Sequence, residues 1–307
     1  MRSDAGTRNA LGIDIGGTSV RAAIVSSDGT VQGELYDAPH YGGDITSELA
    51  RICLDLRQQG RQHGIGYDVV GVALAGGWDP RTGRVSSAPT APSLLGRDPR
   101  TFDVGGPVVV IANDADAALF AEWRCGAARG SRNCLGFIVG TGLGGSAIVD
   151  CAPLRGSNGV AGEFGHLVFE PQGRACGCGG TGCLEQYVSG TALMRDYVGR
   201  IARADVATAH EVAVLARSGD AAAADAFMAL GHRLGSAVAS LTNVFNPDTV
   251  VLGGGMIDVS DLFLPAVRSA VAAHTMPMAA AAMTLKLASL GRAAGVVGAA
   301  IMAGAKR

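Results

Sequence analysis

The sequence predicts an α/β protein made of two related halves around a cleft. Three observations carry this reading. Residues 11–25 have the order strand, glycine turn, strand, and residues 135–149 repeat it, so one kind of hairpin opens each half. Short apolar runs at Asp68–Leu74, Val108–Ala112 and Thr249–Leu252 have the length and β-branched content of buried strands. Stretches of helical period lie between them, and that alternation belongs to a layered α/β fold. Two glycine-rich hairpins can also be alike by chance.

In chain order, the first hairpin is followed by a Ser26-Ser27-Asp28-Gly29 turn and a third strand. Residues 44–63 place Ile45, Leu49, Ile52, Cys53 and Leu56 at helical spacing. After the run ending at Leu74, a stretch rich in Gly, Pro and Ser reads as loop to about residue 106. The strand at Val108–Ala112 stops at Asn113-Asp114, and a helix carrying Ala117, Ala118, Ala121 and Trp123 follows. The second hairpin leads to an irregular insertion at 156–188, rich in Gly, Cys and His. From about 189 the chain reads helical, broken by strands at Thr249–Leu252 and near Met283–Leu287. A last helix near 293–306 is placed to return to the first half. The expected domains are therefore 1–112 plus 293–307, and 113–292 with the insertion at 156–188.

Composition removes several function classes. Among 307 residues, 48% are hydrophobic, so a disordered chain is excluded. A formal net charge of −2, with acids and bases scattered, provides no basic face for nucleic acid. The Ala-rich stretch near 270–290 is interrupted by His274 and Lys286, and no other run reaches membrane-spanning length. The N-terminal residues lack a signal-peptide apolar core, and seven Cys without one are expected to be reduced. A cytoplasmic location is expected, with Cys used for metal or simple burial.

Asp14-Ile15-Gly16-Gly17-Thr18 places a carboxylate at a strand end, just before two glycines and a hydroxyl. Glycines let backbone amides approach phosphate oxygens, and the Asp can hold Mg²⁺ through water. Gly140-Thr141-Gly142-Leu143-Gly144-Gly145 offers a second such loop. Either loop alone can equally be a tight hairpin turn; the pair favours bracketing a triphosphate. The only lysines, Lys286 and Lys306, stand in no phosphate-loop context, which excludes a Walker A site. No early-strand Lys of protein-kinase type exists either. A nucleotide would have to be held by backbone, hydroxyls and Mg²⁺ between two domains.

Asp114 stands where a buried strand ends, a position that aims side chains at ligands in open α/β sheets. A hydroxyl attacking phosphorus needs such a carboxylate to take its proton, and Asn113 can orient a second hydroxyl. The competing role for Asp114 is to cap the following helix. Asp116 is the rival base, with a cap as its more natural task. His166, Cys176, Cys178 and Cys183 form H-x9-C-x-C-x4-C, and glycines crowd the three thiols. Three thiolates and an imidazole close a tetrahedral Zn²⁺ site with no position left for catalytic water, so a structural zinc is expected. Cys53, Cys125, Cys134 and Cys151 sit in apolar patterns and read as buried. Glu163 and Glu185 flank the insertion's ligands and suit vicinal sugar hydroxyls, although surface acids look the same in sequence. His166 can serve zinc with one ring nitrogen and a sugar hydroxyl with the other.

Together these stretches resemble the ROK family of bacterial sugar kinases and repressors, across nearly the whole chain. The resemblance rests on Asp14-Ile15-Gly16-Gly17-Thr18, Asn113-Asp114-Ala115, Gly140-Thr141-Gly142-x-Gly144-Gly145 and Gly162-Glu163-x-Gly165-His166. The run Cys176-x-Cys178-Gly179-x-x-Gly182-Cys183-Leu184-Glu185 completes it. It implies the actin-like ATPase (ribonuclease H-like) duplicated fold and transfer of the γ-phosphoryl of ATP, with Mg²⁺, to the 6-hydroxyl of a hexose. It implies Asp114 as base and sugar contacts from Asn113, Asp114, Glu163, His166 and Glu185. It further implies zinc on His166, Cys176, Cys178 and Cys183, adenosine near Gly253-Gly254-Gly255, and a homodimer. Ser19 replaces the Lys common after the first Gly-Gly-Thr, and Ser146 replaces a usual Gly. Thr90 stands where glucokinases of the family carry Asn, a position expected to meet the sugar near its 3-hydroxyl. N-acetylmannosamine kinases are similar at this Thr and at Gly76-Gly77, and a Thr also leaves room for the 3-amino group of kanosamine. Glucose, glucosamine, kanosamine and N-acetylmannosamine all remain open. The repressor branch carries a helix-turn-helix ahead of the fold, for which the residues before Asp14 leave no room. A sugar-sensing regulator without catalysis would be expected to lack the Asp114 carboxylate.

Overall fold

The computed structural model describes residues 9–17, 19–39, 44–201 and 206–306. Thr18, expected at the first phosphate loop, lies outside the described residues. The chain divides into two compact units. Unit 1 comprises Met1–Gly130, Arg155–Ala161 and Ser289–Arg307; unit 2 comprises Ser131–Leu154 and Gly162–Ala288.

Unit 1 opens with β1 (Asn9–Ile15), β2 (Ser19–Ser26), β3 (Val31–Pro39), α1 (Ile45–Gln62) and β4 (Val70–Leu74). A small hairpin of β5 (Gly77–Asp79) and β6 (Arg84–Ser87) precedes β7 (Val108–Asn113) and α2 (Asp114–Cys125). The expected loop to residue 106 thus contains paired strands, plus 3-10 turns at Pro92–Leu94 and Pro99–Thr101. These pieces are too short for periodicity to reveal. Unit 2 holds β8 (Cys134–Val139), β9 (Leu143–Val149), β10 (Ala152–Pro153), α3 (Gly190–Ile201), α4 (Ala209–Arg217) and α5 (Ala221–Phe245). It continues with β11 (Thr249–Gly253), α6 (Leu264–His274), α7 (Pro277–Ala282) and β12 (Thr284–Leu287). The chain closes in unit 1 with α8 (Ala294–Gly304).

The main sheets are β3-β2-β1-β4-β7 and β10-β9-β8-β11-β12. Numbered within its own sheet, each reads third, second, first, fourth, fifth. In each, the first three strands run antiparallel and the last two join in parallel. This is the duplicated ribonuclease H-like arrangement of the actin-like ATPase fold. Each unit has its own apolar core: Phe137, Phe227 and Phe263 anchor that of unit 2, and Leu11, Ile13, Leu49 and Ile52 that of unit 1.

The sequence places the first boundary at residue 112, whereas in the structure α2 belongs to unit 1 and the division falls at Gly130. The reason is packing against α8, which is buried from Ala294 to Ala303 and so needs neighbours on all sides. A Cβ on Gly298 would stand 1.8 Å from the Ala117 carbonyl oxygen, and one on Gly12 or Gly71 would stand 2.0 Å from carbonyls of Val296 or Ala299. Helix α8 is thus seated between the sheet and α2 with backbone against backbone.

Candidate active site

In unit 1, Asp14 lies one residue before the end of β1 and is 6% exposed. Register places Arg21 of β2 opposite it. The Arg21 Nη1 approaches Asp14 Oδ2 at 3.6 Å, and its Nε reaches Asp37 Oδ1 at 3.2 Å. Asp14 Oδ1 has no hydrogen-bond partner among the described residues. Burial, reinforced by the negative charge of Asp114, raises the Asp14 carboxyl to about 7 despite Arg21. A buried carboxylate oxygen left unpaired beside a Gly16-Gly17 turn is chemically matched to a hydrated Mg²⁺. Gly16 donates its amide to Ser19 O at 3.0 Å, closing that turn.

Asn113 ends β7, and its Oδ1 accepts from the amides of Ala115 at 2.8 Å and Asp116 at 3.3 Å. Asn113 is therefore the cap of α2, a task sequence reasoning left to Asp114 or Asp116. Its Nδ2 donates to Gly76 O at 3.4 Å, which ties it to the link between β4 and β5. Asp114, half-buried in the first helical turn, accepts from the Ala115 amide at 2.9 Å through Oδ1. Burial raises its carboxyl above the usual range, partly offset by that amide. Its proximity to Asp14 registers in the latter's raised carboxyl. Thr90 follows the β5–β6 hairpin, and its Oγ1 is shielded without a partner among the described residues.

In unit 2, the Gly140-Thr141-Gly142 turn joins β8 to β9, closed by the Gly140 amide donating to Gly142 O at 2.9 Å. Gly254, at φ +90°, abuts the strand just before this turn; a Cβ there would stand 2.3 Å from Val139 O. The Gly253-Gly254 segment and the Gly140–Gly142 turn are thus brought side by side. Glu185 lies in the 3-10 turn Leu184–Gln186, and its Oε2 accepts from the Leu143 amide at 3.3 Å. A Cβ on Gly142 would stand 2.5 Å from that same oxygen, so a larger residue there would push the Glu185 carboxylate aside. Glu163 leads the 3-10 turn Phe164–His166 and is exposed. Gly165 carries this turn onto β9, where a Cβ would stand 2.1 Å from Leu143 O.

His166, Cys176, Cys178 and Cys183 offer ligand atoms that all lie within 4.8 Å of one another. Cys178 and Cys183 sulfurs are 3.6 Å apart, and Cys176 Sγ is 3.8 Å from His166 Nδ1. Donors about 2.3 Å from a central zinc in tetrahedral array stand about 3.8 Å apart, so the residues fit that ion. The Cys176 and Gly180 backbones pair at 2.9 Å to fold the knuckle. The Gly180 amide lowers the Cys178 thiol, while burial pushes Cys183 up to about 12. Cys176 Sγ also stands 3.6 Å from Glu185 Oε1 and accepts from Gln186 Nε2 at 3.7 Å. Glu185 therefore touches both the knuckle and the glycine turn. Gln186 and Arg21 escaped sequence reasoning; only strand register would have revealed Arg21. Of the four other cysteines, Cys53 and Cys134 are buried as expected, whereas Cys125 is half-buried and Cys151 exposed, on a turn at φ +61°. No helix among the described residues is long and apolar enough to cross a membrane.

A family model described as ROK family matches residues 10–306. The chain is 34% identical over 321 residues to a glucokinase of Streptomyces coelicolor, spanning 95% of this chain and 96% of that one. It is 32% identical over 308 residues to a kanosamine kinase of Amycolatopsis mediterranei, spanning 97% of each. Among solved structures, a ROK family glucokinase from Streptomyces griseus in complex with glucose and AMPPNP is similar with a TM-score of 0.83. Its identity is 32%, over 97% of this chain and 99% of that one. Since the match runs from β1 into α8 and takes in both glycine turns and the thiol knuckle, the chain belongs to the ROK family.

Proposed function

We propose that the protein is an ATP-dependent sugar kinase that phosphorylates the 6-hydroxyl of a hexose or amino-hexose. The observation that carries this reading is Asp114, a half-buried carboxylate fixed by the Ala115 amide beside the capping Asn113. Asp114 accepts the proton of the attacking hydroxyl and aims its oxygen at phosphorus. Asn113, Thr90, Glu163, His166 and Glu185 hold the remaining sugar hydroxyls. The unpaired Thr90 Oγ1 and the position of His166 Nδ1 on the Cys176 side, leaving Nε2 for a hydroxyl, support these assignments.

The Gly16-Gly17 and Gly140–Gly142 turns, with Thr18 and Thr141, are assigned to phosphates, and Gly253-Gly254 to the nucleoside. Mg²⁺, when bound, neutralises charge on the phosphates, and Asp14 is the residue placed to hold it through water. Zinc on His166 and the three cysteines stiffens the segment bearing Glu163 and Glu185. The protein is taken to act as a homodimer.

Resemblance to a glucokinase and a kanosamine kinase together leaves the substrate between neutral and amino-hexoses. The test is ADP release with Mg-ATP against glucose, glucosamine, kanosamine and N-acetylmannosamine, with Asp114→Asn as control. One sugar should turn over, and the variant should lose on the order of 10²–10⁴ of that rate. A folded, zinc-loaded protein without turnover on any sugar would instead indicate a sugar-sensing regulator.

A further inference from the structure

Glu122 lies near the end of α2, is 1% exposed, and has no part in the reaction proposed above. Its carboxylate accepts four hydrogen bonds. Oε1 receives the amides of Ser289 and Leu290, both at 2.8 Å. Oε2 receives the Ala127 amide at 2.7 Å and the Ser289 hydroxyl at 3.0 Å. Four donors fill the acceptor capacity of a carboxylate. Gly126 makes room for this, because a Cβ there would stand 2.1 Å from Oε2. One buried side chain thereby fastens the segment after α2 to the segment before α8. These are the places where the chain leaves unit 1 after Gly130 and re-enters it at Ser289.

Both fastened elements reach the acidic pair. Helix α2 carries Asp114 at its other end. Two residues beyond Leu290, Arg292 pairs with Asp37 at 3.2 Å, and Asp37 is also held by the Arg21 that approaches Asp14. In the next turn, a Cβ on Gly295 would stand 2.6 Å from Asp14 Oδ2, so α8 lies directly against that carboxylate. A shift of α8 relative to α2 would therefore move the surroundings of Asp14 away from Asp114.

We infer that Glu122 is a positioning residue, which locks α2 to the start of α8 and so holds Asp14 and Asp114 in one fixed relation. The inference rests on the kinase reading, in which these carboxylates serve Mg²⁺ and the sugar hydroxyl. Glu122→Gln keeps the shape but turns an amide donor toward the amides it now accepts from. Gly126→Ala displaces the carboxylate while leaving its charge. The experiment is steady-state kinetics of both variants with the Mg²⁺ concentration varied, alongside thermal melting. Misplacement of reacting groups predicts kcat reduced on the order of tenfold or more and a higher Mg²⁺ requirement, with KM for the sugar changed far less. If Glu122→Gln does not fold, Ser289→Ala removes a single bond and should give a smaller change in the same two quantities. Variants that melt earlier yet keep the wild-type kcat and Mg²⁺ dependence would reduce Glu122 to a structural staple and overturn the inference. A wild type without turnover on any sugar would overturn the kinase reading and this inference with it.

Discussion

Asp14 is costly to the fold in the form its proposed task requires. Its carboxyl is raised by burial to about 7 in the folded chain, against an ordinary value of 3.8. The folded state then binds the proton more tightly than the unfolded state, so this group's contribution is fully present below pH about 4 and is lost as pH rises through about 7. Asp14→Asn removes a buried charge at neutral pH while matching the protonated acid at low pH. It is expected to raise the melting temperature by a few degrees at pH 8, have little effect at pH 4, and abolish kinase turnover. Melting curves at the two pH values check this; a variant that melts earlier at pH 8 would show that Arg21 compensates the charge fully. Asp14 was legible in the sequence because a carboxylate before two glycines is a local pattern. The cap formed by Asn113 was not, since Asn113, Asp114 and Asp116 all have side chains that can cap, and only backbone geometry decides among them. Glu122 stood in the open as one acid among Ala, Leu, Phe and Trp, but its donors lie at Ala127 and at Ser289–Leu290, most of them far along the chain.

At the scale of elements, α8 depends on side chains that are absent. Gly71→Ala would drive a methyl to 2.0 Å from the Ala299 carbonyl, so β4 and α8 must separate. The expected cost is about 1–3 kcal/mol or more. Gly66→Ala is the control: nothing stands within 4 Å of its Cβ and its φ is not positive. Urea unfolding of the two variants should separate them, and equal midpoints would show that the sheet yields at no cost. Helix α1 and strands β4, β7 and β11 were readable because each buries one face or both over enough residues for a pattern to emerge. The hairpin β5–β6 was not, because strands of three and four residues carry no period and their partners are set by the turn. The place of α2 was also hidden. Its small apolar residues fit either unit, and the choice is made by Gly298 of α8 at the far end of the chain.

For the whole molecule, the two units differ in what reports on them. Both tryptophans, Trp78 and Trp123, belong to unit 1, whereas all four candidate zinc ligands belong to unit 2. Chelation should therefore lower the calorimetric transition of unit 2 and raise the sugar KM, while tryptophan fluorescence melts at an unchanged temperature. A fluorescence midpoint that falls in step with calorimetry would mean that the units unfold as one. The duplication itself was legible from two hairpins, yet their common strand order emerges only from pairing across long sequence separations.

The return of α8 to the first sheet also bears on synthesis. Residues 9–113 supply the five strands of that sheet, but the helix that covers β1 and β4 begins at Ala294. A ribosome must translate all of unit 2 and reach α8 before unit 1 can close. Unit 2 lies wholly between Ser131 and Ala288, a span that lends only Arg155–Ala161 to unit 1, and can condense while its predecessor still waits for α8. The nascent N-terminal half is thus the part that calls for a chaperone, and a stop codon placed just before α8 would spare unit 2 while leaving unit 1 open to proteolysis.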